Sequence, residues 1–582
     1  MRLLACVLTA TLTTAILWIP LKLRIFDLLD PYALNGDAYQ HLAPMWFARQ
    51  SPDTISDYTM RYYLTAIIPA FFKWLYAGMT IWFEPAAASK VLTVILSLAF
   101  IGLSTACSLR LAGGAAAALS FFLATAGVVR NMFFMGGIQR GFGFCLASLA
   151  LYFVIQGRLV ALAVVAVISA GFYPAASIYM ICALGLLVIL PEAYRGTTKT
   201  WGLSRRLALV TTTGALACLV VLPLILNGKN YGERLSRAAE SEYQEWGSAG
   251  RYNQGDRGVS AGFLRKTFFS TLSSIYAPRL DRALVRETDV GDLELSRDII
   301  PTMKPVLVMV LTVALAGFTL FRSRLSLSPQ ALRCAIFFCA MLISFFAAKI
   351  FFPILYIPSR YLILGVVSLT PIAFPAIWSN AFSKNLRSGL RNFIIITFGA
   401  LLLYYLGWTS LQIRRFPSVS GNRSLFNFIK TLPEDVVIAS WPRGVANYIP
   451  LFTKRSVLVF EEGHQVFHRD FLEEMRRRTR ALIAAYSAID EKPFITLNRD
   501  YNVSYLLIQR SHLRELPDYF APFGYELKTA RSAIGDQRLF LRELIEKHAV
   551  FNSGDHILVD INLKTAVKED QNGAAGLKHK GF

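Results

Sequence analysis

The sequence predicts a polytopic α-helical membrane protein of about eleven or twelve membrane segments, followed by a soluble α/β domain. Three observations predict it. The 582 residues are 54% hydrophobic and only 17% charged, with a mean hydropathy of +0.44. That is too apolar for a set of soluble domains and too hydrophobic for a disordered chain. Apolar runs fill most of residues 1–411, and beyond Gln412 the periodicity becomes that of short strands alternating with amphipathic helices.

Residues 3–23 are apolar except for Lys22, about the ~20 residues that a bilayer core requires. They lack a small-x-small cleavage site and read as an uncleaved signal anchor. A more polar stretch, 24–61, precedes apolar runs at 63–83, 91–109, 115–129, 141–156, 159–191 and 207–226. The run 159–191 reads as two short helices broken at Tyr173-Pro174. A hydrophilic segment, 227–301, separates these from runs at 305–321, 334–352, 361–379 and 393–411. All seven cysteines fall inside apolar runs without a CxxC or Cys/His spacing, which argues against a disulfide framework or a structural zinc site.

The terminal part, 412–561, is expected to fold as an α/β domain. Strands are expected at 436–440, 456–460 and 503–508, with 537–543 as a fourth, and a long amphipathic helix at 467–489. Residues 562–582 are polar and Gly/Lys-rich and are expected to be disordered.

Charge orients the chain, because Lys and Arg beside the spans stay on the cytoplasmic side. Three short connections are basic: Arg195, Lys199, Arg205 and Arg206; then Arg322, Arg324 and Arg333; then Lys384, Arg387 and Arg391. With these inside, 24–61, 227–301 and 412–582 face outward. The first half then holds one apolar run too many. The shortest candidates for an incomplete crossing are 115–129 and 159–170. The net charge of +22 is read as topology and headgroup contact, not as a nucleic-acid partner.

The stretch Asn35-Gly36-Asp37-Ala38-Tyr39-Gln40-His41 lies in the first outer loop. On a helix, Asp37, Gln40 and His41 share one face. An acid with an amide and an imidazole beside it can hold a hydroxyl and take its proton. Equally, Asp37 can be a plain N-cap with the other two merely exposed. His464 and His468, with Glu461, Glu462 and Asp470 nearby, have i,i+4 spacing that suits a metal, although an exposed helix start explains them as well. The run Arg476–Arg480 reads as a solvated helix face.

A Gly-Asp-x-Tyr or Asp-x-x-Gln element in the first outer loop, after a signal anchor and before many short spans, resembles the GT-C superfamily. These are integral-membrane glycosyltransferases that use polyprenyl-phosphate-linked sugars. The resemblance implies that Asp37 is the loop acid, acting as base or metal ligand. It also implies that Arg360 and Tyr361, in Ile357-Pro358-Ser359-Arg360-Tyr361, are the Arg-Tyr pair opening a late span. Two departures stand out. No Asp or Glu occurs between Glu84 and Glu192, so a divalent metal would have to recruit Asp27, Asp30, Asp53, Asp57 or a residue of 227–301. The segment Trp441-Pro442-Arg443-Gly444 is placed like the oligosaccharyltransferase Trp-Trp-Asp signature but lacks its aspartate.

The expected reaction moves a sugar from a polyprenyl-phosphate carrier to a hydroxyl of a glycan, lipid or protein acceptor, at the outer face of a bacterial inner (plasma) membrane. Asp37 is the expected base, with Gln40 and His41 orienting the acceptor and no cofactor required. Arginine suits the departing phosphate because its fork matches the phosphate oxygens. Arg360, Arg140, Arg130 and Lys349 stand at membrane boundaries, where charge is costly and so marks function. Two other classes stay open: a lipid or glycan transporter or flippase, and a non-catalytic envelope scaffold.

Overall fold

The computed structural model describes residues 2–34, 36–130, 134, 136–190, 201–235, 242–246, 249–251, 329–351, 355, 358–383, 415–535 and 537–562. The apolar runs at 305–321 and 393–411, and the tail beyond 562, lie outside these.

The apolar part is a helical bundle. Its long members are α1 (Arg2–Leu29), α5 (Pro85–Arg130), α6 (Gln139–Gln156), α7 (Leu159–Phe172), α8 (Pro174–Ile189), α9 (Leu203–Gly228), α10 (Pro329–Ile350) and α11 (Ser359–Ser383). Between α1 and α5 lie the short helices α2 (Gly36–Leu42), α3 (Tyr58–Tyr62) and α4 (Ala70–Met79), with one π-helical turn at Tyr63–Ile67. Among the described residues, Pro85–Val129, Leu203–Tyr231 and Pro329–Ala348 are long and apolar enough to cross a membrane by length and composition.

Helix α5 is two antiparallel arms. Its backbone breaks at Ala112 and Gly113, where Gly113 takes φ +82°, a conformation that favours glycine. The Nζ of Lys90, near its start, donates to the carbonyls of Asp27, Asp30 and Ala33 at 2.5, 2.6 and 2.9 Å. Near its other end the Val129 carbonyl accepts from Arg24 Nε at 2.8 Å. Both ends therefore lie beside the last turn of α1. The turn at 112–113 lies at the far end of the bundle, where Ser379 bonds the Ala112 carbonyl and Arg333 reaches the Ile155 carbonyl.

This arrangement corrects the reading of the early runs. The segment 63–83 does not form one helix. Pro69 closes the π turn, because the backbone ahead of a proline is driven from the α region and Ile68 is extended. The ten-residue α4 rises only about 15 Å. Tyr63 meets the C-terminal domain at the Glu462 carbonyl, and Tyr76 bonds the Gly137 carbonyl just ahead of α6. Both ends of the segment thus stay at the same end of the bundle. By contrast, the second arm of α5 and the helix α7, the two shortest candidates from sequence, each join the two ends.

The C-terminal domain carries α12 (Arg423–Thr431), α13 (Ile449–Thr453), α14 (Arg469–Tyr486), α15 (Lys492–Tyr501), α16 (Phe523–Ile534) and α17 (Phe540–His548). They surround a sheet of β1 (Val437–Ser440), β2 (Ser456–Val457), β3 (Val503–Gln509), β4 (Ala549–Ser553) and β5 (His556–Asp560). The strand order is β2-β1-β3-β5-β4, parallel from β2 to β3 and antiparallel beyond. Three expected strands are present. The fourth, at 537–543, is instead the start of α17, where Leu541 and Leu544 are buried at i,i+3 and Lys547 bonds Glu543 at i,i+4. The missing pairing comes from the β4–β5 hairpin, turned at Gly554 with φ +59°.

The domain is fastened to the first loop. The Trp46 indole N–H donates to the Leu451 carbonyl at 2.8 Å, and Tyr62 stacks on Phe471 with centroids 3.7 Å apart. Asp27, with its side chain 2% exposed, accepts from Arg24 at 2.8 Å and Arg415 at 3.1 Å. Lys90 is therefore the post on which the end of α1 is fixed. Replacing Lys90 by Met leaves three carbonyls without their cation, and is expected to cost about 2 kcal/mol or more, read as a lower thermal-unfolding midpoint of the purified full chain.

Candidate functional site

Asp37 stands in the first turn of α2, whose Ala38, Tyr39 and Leu42 are buried. That packing turns the Asp37 carboxylate toward the start of α6, where it pairs with the Arg140 guanidinium. Arg140 is aimed by the turn before it. The N–H groups of Gly136 and Gly137 both donate to Thr93 Oγ1 at 3.0 Å. A Cβ on Gly137 would come 2.5 Å from the Ser89 carbonyl oxygen, so the turn has room only for glycine. Arg360, at the start of α11, acts electrostatically on both Asp37 and His41. The topology thus gathers Asp37, His41, Arg140 and Arg360 at one mouth of the bundle.

Their protonation follows from this company. Burial pushes the Asp37 carboxyl up, but Arg140, Arg360 and His41 outweigh it and hold the group below its ordinary range. Burial, with the charges of Arg140 and Arg360, pushes His41 down to about 4 against the pull of Asp37. The imidazole is therefore neutral at pH 7, and its Nδ1 is buried without a partner.

Gln40 points elsewhere. Its Oε1 accepts from the Tyr63 hydroxyl at 2.9 Å and from Gln465 Nε2 at 3.0 Å. Gln465 also donates to the Glu462 carbonyl at 2.8 Å, and the Tyr63 hydroxyl, 2.6 Å from that carbonyl, shares its one proton between it and Gln40. This network ties α2 to residues 462–465 of the C-terminal domain. Tyr361 is buried, 1% exposed, and its hydroxyl donates to the Leu355 carbonyl at 2.9 Å. The side chains of Arg130 and Lys349 lie outside those described.

Glu462 completes the rim and was not singled out from sequence as part of this site. Its carboxylate pairs with Arg251 at 3.1 Å. Burial pushes its carboxyl up; Arg251 opposes this, and the nearby charges of Asp37 and Glu461 add to it. Only its place in an acidic cluster drew notice in the sequence, because the contact with α2 spans more than four hundred positions.

The two histidines beyond it are not an exposed helix start, as the sequence suggested. His464 is 0% and His468 8% exposed, bonded through Nδ1 to the hydroxyls of Tyr519 and Tyr62 at 3.3 and 2.9 Å. Among the described residues, no group of three or more His, Cys, Asp or Glu is arranged to hold a metal. The arginine run is solvated in part: Arg477 and Arg480 are exposed, paired with Glu474 at 2.8 Å and Glu526 at 2.9 Å, whereas Arg476 and Arg478 are largely covered, paired with the buried Glu245 at 2.7 Å and with Glu474 at 2.8 Å.

No protein-family model matches the sequence, and no curated protein matches it. Solved structures do. The archaeal oligosaccharyltransferase AglB of Archaeoglobus fulgidus, in complex with an inhibitory peptide and a dolichol-phosphate, superposes with a TM-score of 0.50 at 11% identity, over 92% of this chain and 72% of that one. ArnT of Cupriavidus metallidurans bound to undecaprenyl phosphate gives 0.47 at 12% identity, over 96% and 98%. The likeness is one of fold. It extends over most of this chain, from the membrane-type helical bundle to the C-terminal domain.

Proposed function

We propose that the protein is a membrane glycosyltransferase that moves a sugar from a polyprenyl-phosphate carrier to a hydroxyl acceptor at the outer membrane face. One observation carries the reading: an ionised carboxylate, Asp37, faces the paired cations Arg140 and Arg360 at the mouth of a helical bundle. The fold supports it, because an oligosaccharyltransferase of this architecture holds a dolichol-phosphate. Arg205, Arg206 and Arg333 stand at the opposite end of the bundle, which supports that end as cytoplasmic and the C-terminal domain as external. With 63–83 held at one end, and the runs 305–321 and 393–411 counted as crossings, about eleven passes give alternating connections without conflict.

In the proposed step the acceptor hydroxyl gives its proton to Asp37 as its oxygen bonds the anomeric carbon. The bond from that carbon to the phosphate oxygen breaks, and its electron pair leaves with the polyprenyl phosphate. Arg140 and Arg360 offset the charge gathering on that phosphate. When the donor phosphate engages Arg140, the guanidinium is shared away from Asp37, and the carboxylate becomes more basic. Neutral His41 offers a hydrogen-bonding nitrogen to the acceptor. Two guanidinium groups supply the positive charge that a divalent metal would otherwise bring, so we propose that none is needed.

Replacing Asp37 by Asn keeps the shape but removes the base. The turnover of radiolabelled sugar from synthetic polyprenyl-phosphate donors is expected to fall roughly 10²–10⁴-fold; unchanged turnover would reject the assignment. The pH dependence offers a second check. Asp37 stays ionised down to the bottom of the carboxylate range and His41 is already neutral, so kcat/KM should be level from about pH 5 to 8 on its acid side. An acid limb near the ordinary histidine value would instead make His41 the base.

A further inference from the structure

Besides Asp37, a second carboxylate stands close to α2 and feels the charge of Asp37. This is Glu462, in the C-terminal domain at the turn that the Gln40–Tyr63–Gln465 network binds to α2. In both ion pairs the carboxylate is the open member. The side chains of Asp37 and Glu462 are each 30% exposed, whereas those of Arg140 and Arg251 are 10% and 11% exposed. The carboxylate side chains are therefore the more accessible members of the two pairs. Holding the 462 turn in place does not require the acid, because Arg251 Nη2 also donates to the Glu462 carbonyl at 3.1 Å, as do Tyr63 and Gln465. A partly buried charge that its own backbone could replace as a latch is better explained by what it binds.

We propose that Glu462, held by Arg251, is the acceptor-binding carboxylate of this site, taking hydrogen bonds from ring hydroxyls of a carbohydrate acceptor next to the one presented to Asp37. The inference rests on the glycosyl-transfer reading above. Displacement at the anomeric carbon brings the attacking hydroxyl from the side opposite the leaving phosphate. Arg140 and Arg360 open the apolar helices α6 and α11 and mark the membrane side. Glu462 belongs to the C-terminal domain and marks the water side. Two oxygens of one carboxylate can accept from adjacent hydroxyls of a sugar ring, a pattern that a simple alkanol cannot offer. Burial and the neighbouring charges of Asp37 and Glu461 raise its carboxyl, which strengthens its bond to a neutral hydroxyl donor relative to that of an ordinary surface acid.

The test uses the full chain in nanodiscs and ligand-detected NMR with a panel of methyl glycosides of hexoses, pentoses and amino sugars. At least one glycoside is expected to bind saturably, with butanol not competing. Glu462→Gln should weaken that binding at least tenfold, while undecaprenyl phosphate, which reports on the arginine side and on folding, binds as before. Glu462→Asp should recover part of the loss. Absence of saturable glycoside binding, equal binding by Glu462→Gln, or loss of undecaprenyl phosphate binding in that variant would each overturn the proposal. Failure of the wild-type chain to bind undecaprenyl phosphate would instead count against the glycosyl-transfer reading itself, and full transfer by Asp37→Asn against the base alone.

Discussion

The ion pair between Asp37 and Arg140 is the constraint on which the site depends. A guanidinium only 10% exposed has left most of its water, and an uncompensated charge there would cost several kcal/mol. The carboxylate is likewise held ionised because Arg140 and Arg360 outweigh its burial. Neither partner is stable alone in this place. The pair also stands at the start of α6, where the helix end adds partial positive charge and favours an anion. On the proposed reading, a phosphate docking there would meet cations that already lean on one negative group, and would exchange partners in place of stranding one.

Such a pair needs a rigid frame, and the molecule supplies one from both sides. Lys90 fixes the end of α1 through three carbonyls, and Thr93, one helical turn further along, receives both N–H groups of the turn that aims Arg140. One arm of α5 thus sets both the loop carrying the acid and the helix carrying its cation. From the other side, Gln40 binds α2 to Gln465 and Tyr63, and Tyr39 packs against Tyr448 with centroids 4.4 Å apart. The C-terminal domain is in this sense a wall of the site, and its removal would leave α2 with one face unsupported.

How far this could be read in the sequence differs from level to level. The apolar runs and the change of periodicity after Gln412 disclose the bundle and the terminal α/β domain, because both are carried by local pattern. The first half misleads at 63–83, whose composition is that of a span. The π turn and Ile68-Pro69 break it, and that break is legible only through one proline. The stretch 537–543 looks strand-like over a short window, yet its buried leucines follow a helical spacing that emerges only when the window reaches Leu544. Asp37 is visible because polar residues are sparse where it lies. Its meeting with Arg140 is not, since the two are brought together by the reversal at Ala112–Gly113. Glu462 and Gln465 are more remote still. Their neighbours in sequence suggest only an acidic cluster, and their role appears once the domain folds back on the first loop.

If the proposed glycosyl transfer is what the protein does, the position of the site at the seam follows from what must meet there. A polyprenyl phosphate is confined to the bilayer with its head at the boundary, whereas a polar acceptor comes from water. A site buried within the bundle would strip the acceptor of its hydration, and one wholly within the C-terminal domain would draw the carrier's first isoprene units into water at about 0.8 kcal/mol per methylene. At the seam neither cost arises. The same reasoning accounts for the division of charge. Cations carried by helix starts at the membrane boundary suit a lipid phosphate, and carboxylates carried by the loop and the domain suit hydroxyl donors. Because Asp37 pairs with Arg140 on one side and feels the same field as Glu462 on the other, it is the one group positioned to sense both. In the proposed reaction, occupation of the cations would raise its basicity at the moment an acceptor beside Glu462 has a proton to lose.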